Sequence, residues 1–105
     1  MSVLSFHINS LKNKARAVRL FLKAWDRAAA AINKNPEAFR GLLLKKIRVP
    51  KNIQQTYKIP PYPRREVPTA RQWADVMDWM TDKGLLTSAL SYDGSITAEF
   101  IPTGD

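Results

Sequence analysis

The chain has 105 residues, 45% of them apolar, and a formal net charge of +8. That length allows one domain with a small core. There is no cysteine and only one histidine, His7. Disulfides, thiolate metal sites and cysteine nucleophiles are therefore excluded, and a metal site would rest on carboxylates that do not cluster in sequence.

The charge is unevenly spread. Residues 1–65 hold 15 Lys and Arg against Asp26 and Glu37, a net of +13, whereas residues 66–105 carry a net of −5. Such a split suits either a basic face for an acidic partner or two halves that attract each other. No apolar run is long enough to cross a bilayer. The start, MSVLSFHINSLKNK, does not read as a signal peptide, because its positive charges follow a short apolar part instead of preceding it.

Residues 3–8, VLSFHI, suit an extended lead-in or short strand, with Asn9 or Ser10 as the cap of a long helix over 10–33. Leu11, Ala15, Val18, Leu22, Trp25, Ala29 and Ile32 recur at steps of four and three, which places them on one helical stripe. Phe21 and Ala28 widen that stripe, while Lys12, Arg16, Arg19, Lys23 and Arg27 make the opposite side basic. No Gly or Pro interrupts the run. We therefore expect one unbroken amphipathic rod with Trp25 in the core.

Asn35-Pro36-Glu37 ends that helix and opens a second over 36–48, with Asn35 as cap and Pro36 in the first turn. Phe39, Leu42, Leu43 and Ile47 form its apolar face despite Gly41. Pro50, Ile53 and Tyr57 suit a two-turn helix over 50–57. Residues 58–68 contain four prolines and should cross the surface extended, with Ile59 and Tyr62 strapped over the core. Thr69 and Gln72 match a capping box for a helix over 70–83, which places Trp73, Val76, Met77 and Met80 on one face. Gly84 fits a left-handed cap, with Leu85 folding back on the helix. The tail, 84–105, has a turn at Tyr92–Ser95 and docks through Ile96, Phe100 and Ile101. The expected fold class is mainly α, a long N-terminal helix packed by three to four shorter ones.

No catalytic set emerges. His7 has no second group to pair with, and Ser and Thr residues lack a base. Asp75, Asp78 and Asp82 share one helix side, which reads as a solvated acidic face, since Ca²⁺ needs six or more oxygens. Gly41, Gly84 and Gly94 are isolated, so no phosphate-cradling loop is present. We expect no enzyme activity, no cofactor and no metal, and the ligand-binding residues are unknown. Nucleic acid is the lesser reading: the basic helix side suits phosphates, but Trp25, Trp73 and Trp79 fall on apolar stripes more typical of core.

The order of these signals is similar to a known family. AVRLFLKAWDRAAAAINKNPEAF, then LLLKKIRVPKNIQQTYK, IPPYP, ARQWADVMDWMTDKGLL and SYDGSITAEFI resemble, in that order, the C-terminal end of periplasmic substrate-binding proteins. The group is the one that serves ABC importers of nitrate, sulfonates, taurine and thiamine precursors. VLSF resembles the end of the strand before the long helix. The resemblance implies a two-lobed α/β fold for the family, of which this chain corresponds to the helical last third. It implies a periplasmic or extracellular, membrane-associated location. The implied partners are the remaining lobes and an ABC permease. It also implies exposed apolar surface through which the isolated chain would self-associate. No family ligand position maps onto a residue here. The alternative is a small basic helical module that binds nucleic acid or an acidic protein.

Overall fold

The computed structural model describes residues 3–104. They form five α-helices, α1 (Ile8–Asn13), α2 (Ala15–Lys34), α3 (Arg40–Lys46), α4 (Ala70–Asp82) and α5 (Tyr92–Ser95), with no strand among the described residues. The mainly α class holds. Residues 3–7 precede α1 without regular structure and without a strand partner.

The expected unbroken rod is broken at Lys14, whose backbone leaves the helical region at φ −130°, ψ 35°. Its cap is also different: His7 Nδ1 accepts the Asn9 amide at 3.1 Å, so the cap is His7 in place of Asn9 or Ser10. The break has a packing consequence. In a straight helix Phe6 and Phe21 would stand about 22 Å apart along the axis. Here their rings meet edge to face with centroids 6.0 Å apart. The apolar lead-in thus gains a partner that an unbroken helix would deny it.

The expected 36–48 helix divides in two. Pro36–Phe39 is a 3₁₀ turn, and α3 follows. Asn35 makes no side-chain cap; instead Glu37 grips Arg40 through two hydrogen bonds of 2.6 and 2.8 Å. Arg40 then reaches forward to the carbonyls of Gln54 and Tyr57. Those contacts hold the next segment, in which only Lys51–Ile53 forms a 3₁₀ turn where a two-turn helix was expected. Arg48, at φ 54°, occupies the left-handed position after α3 that usually falls to glycine.

The Pro-rich segment is extended and runs back along α2. The Asn33 amide side chain and the Tyr62 backbone exchange two hydrogen bonds, each 2.8 Å. Ile59 and Tyr62 are half-buried. α4 begins with the expected capping box, Thr69 and Gln72 bonding reciprocally. It ends with Gly84 at φ 72° and the Leu85 amide reaching back to the Met80 carbonyl. Leu85 itself does not fold back; it is 59% exposed. The tail does dock. The Trp73 indole donates to the Leu90 carbonyl, the Tyr92 hydroxyl donates to the Pro68 carbonyl, and Phe100 is buried.

The packing is sparse. Among the described residues the buried apolar ones are Val18, Ala29, Val49, Met77 and Phe100, and no large side chain is completely enclosed. α4 stands off from α2: no Cα of one comes within 8 Å of the other. The tail bridges them instead, with α5 against α4 and with Glu99 and Phe100 against Arg19. The Cα radius of gyration is 16.9 Å, against about 13 Å for a compact chain of this length.

Trp25 corrects a further expectation. It is 50% exposed, although the rest of its stripe faces inward: Val18 and Ala29 are buried, and Leu11, Ala15, Leu22 and Ile32 are half-buried. The buried side of α2 is turned toward Val18, Ala29 and Asp26. Trp25→Ala should therefore lower stability by only about 1 kcal/mol, not by the 3–5 kcal/mol of a packed aromatic. Urea unfolding followed by circular dichroism measures this directly, and a loss of core size would place Trp25 back in the interior.

Candidate functional site

Two features of α2 stand out, one on each flank of its buried strip. The first is built on Asp26, which is 5% exposed. Val18, Leu22, Asp26 and Ala29 follow at helical steps of four, four and three, so the carboxylate emerges on the inner side of α2. The prolines at 60, 61 and 63 keep the facing segment extended, and the Asn33–Tyr62 pair sets its register. Arg64 and Arg65 thereby arrive at Asp26. Arg64 Nε and Nη2 donate to the two carboxylate oxygens at 2.9 Å each, and Arg65 Nε donates to Oδ2 at 3.1 Å. The fork matches both oxygens at once, a geometry lysine cannot supply. Arg65 makes its contact from φ 56°, a left-handed conformation that costs energy for any residue with a Cβ.

The Arg64 hydrogen bond is the main reason the Asp26 carboxyl is held below its ordinary value of 3.8, with Arg65 adding to it and desolvation opposing. Asp26 in turn pushes the Arg64 guanidinium up. Glu37 is lowered in the same way by Arg40. Each carboxylate has a folded-state value below its unfolded one. Its stabilisation is thus complete above the unfolded value and is lost as pH falls through the folded one. The melting temperature should stay level from about pH 7 to pH 5 and decline below about pH 4. A series of melts across that range checks it. Arg64→Gln should flatten much of the decline.

The second feature is aromatic. Phe6, Phe21 and Trp25 form a continuous row, the last two rings 6.1 Å apart and tilted by 32°. Phe21 and Trp25 are both exposed. Trp79 on α4 is also exposed, at 56%. Aromatic rows of this kind, left uncovered, mark surfaces that meet another body.

The residues singled out from sequence are scattered. His7 serves as a helix cap. Asp75, Asp78 and Asp82 are exposed; Asp75 pairs with Arg71 on its own helix, 3.2 Å away. They do not balance the basic side of α2, whose Arg19 is paired with Glu99 of the tail. Among the described residues no three His, Asp or Glu side chains are grouped to hold a metal, and no helix is long and apolar enough to cross a membrane. Asp26 was the residue that sequence reasoning passed over. The available signal was a single acid on the apolar stripe of an otherwise basic helix, with two adjacent arginines after a proline run.

Searches for similar proteins found no matching family model, no matching curated protein and no matching solved structure.

Proposed function

We propose that this chain is the helical C-terminal portion of a solute-binding component of an ABC import system, for a small anion, sulfonate or thiamine-precursor-like ligand. The observation that supports the reading is the uncovered row Phe6–Phe21–Trp25 on an open chain. An apolar helix face of this sort packs on the α/β lobe in the family the sequence resembles. The chain would not bind the imported solute by itself, because its apolar surface is spread over flat faces and its buried interior is small.

The experiment is a titration of the chain with the separately produced first lobe of a binding protein from that group, read by tryptophan fluorescence. Saturable binding with a blue shift, abolished by Phe21→Ser with Trp25→Ser, is the expected result. A lobe that leaves the spectrum unchanged would remove the reading. A second reading, a basic module for nucleic acid or an acidic protein, is favoured by Lys23 and Arg27, which have no ion-pair partner among the described residues. Micromolar binding to random duplex DNA at low salt would support it.

A further inference from the structure

On the far flank of Asp26 the surface sinks into a depression of about 490 Å³, lined by Lys23, Asp26, Arg27, Ala30, Arg64 and Arg65. We propose that this depression binds a small phosphate-bearing anion. The inference does not rest on the import reading above, since it uses the opposite side of α2 from the aromatic row.

The lining carries four cations and one carboxylate. The carboxylate is already engaged: both its oxygens accept from the arginines. The donors are not exhausted. A guanidinium has five N–H groups. Arg64 directs two to Asp26 and Arg65 directs one, so most of both forks remains for another acceptor. Asp26 thus acts as an internal strut that fixes two guanidinium planes before any ligand arrives, which lowers the ordering cost of binding. Lys23 and Arg27 sit at i−3 and i+1 of Asp26 on α2 and complete the rim. Neither makes an ion pair or a side-chain hydrogen bond among the described residues. Ala30, with no side chain beyond Cβ, leaves the floor open.

The strained conformation of Arg65 fits the same picture. The chain holds a non-glycine residue at φ 56° at the point where its guanidinium enters the depression. Such conformations persist where the surroundings over-determine them, and they gather at ligand clamps. The net charge of the lining favours a dianion over a monoanion, and planar forks favour the tetrahedral oxygens of a phosphate group. The volume falls within the range of small-molecule pockets, so the occupant is an organic phosphate or a pyrophosphate group in preference to a bare halide.

The test is a calorimetric titration of the whole chain with inorganic pyrophosphate at low salt. The expected result is saturable binding with Kd below about 1 mM that weakens as salt is raised. Lys23→Gln with Arg27→Gln leaves the Asp26 contacts untouched and should weaken binding by about tenfold or more with an unchanged melting temperature. Arg71→Gln, which removes one positive charge on α4, should bind as the unaltered chain does. Absence of saturation by about 10 mM pyrophosphate would overturn the proposal. Equal binding by the Lys23/Arg27 double variant would do the same. So would duplex DNA that binds more tightly than pyrophosphate and is not displaced by it, because the anion site would then be a general basic surface.

Discussion

Phe100→Ala is expected to destabilise the chain by about 3 kcal/mol, the low end of the range for a buried phenylalanine. Phe100 is 8% exposed, and among the described residues of the tail it is the only buried one. The Arg19 guanidinium lies over its ring, 4.8 Å from the centroid, and donates to the neighbouring Glu99 carbonyl at 2.8 Å. That contact is how the tail, and with it α5 and α4, is joined to α2. Removing the ring deletes the apolar anchor and leaves a guanidinium above a void. In a chain whose total stability is of the order of 5–15 kcal/mol, such a loss is large. Urea unfolding would show it, and a change below about 1 kcal/mol would mean that the tail is held by something else.

Asp26→Ala carries the second large effect. It leaves two guanidinium groups facing each other across the space of a missing carboxylate and releases the Pro-rich segment from α2. The melting temperature should fall by several degrees. The local consequence is sharper than the global one. Trypsin cuts after arginine, and in the unaltered chain Arg64 and Arg65 are held by Asp26. Cleavage there should accelerate by about tenfold or more in Asp26→Ala, while sites on α4 change far less. Asp26→Asn keeps the shape and loses the charge, so it should fall between the two. Equal cleavage rates in all three would show that the clamp does not hold the segment.

These two positions also show what could be read from sequence and what could not. The helical character of most segments was legible, because local signals such as the Thr69–Gln72 box and Gly84 act within a few residues. The docking of Phe100 was legible for a related reason: it is a large apolar residue that follows the turn at Tyr92–Ser95, beside Ile96 and Ile101. The inward stripe of α2 was legible as well: Val18 and Ala29 are buried, and Leu11, Ala15, Leu22 and Ile32 are half-buried. The edges of that stripe were not legible. Asp26 is buried on one edge because Arg64 and Arg65, some 38 residues away, pair with it, and Phe21 and Trp25 are exposed on the other. The break at Lys14 was hidden. No Gly or Pro marks it, and what it accompanies is a tertiary contact, Phe6 against Phe21. The site on the far flank of Asp26 depends on the same long-range pairing, which no local pattern announces.

The uncovered aromatic row requires α2 to stand open on that flank, with α4 held at a distance from it. Small-angle scattering of the chain, extrapolated to zero concentration, addresses that arrangement most directly. A radius of gyration near 16.9 Å is the expected result. A value near 13 Å, that of a collapsed globule of this length, would mean that α4 closes over the aromatic row and would contradict the account.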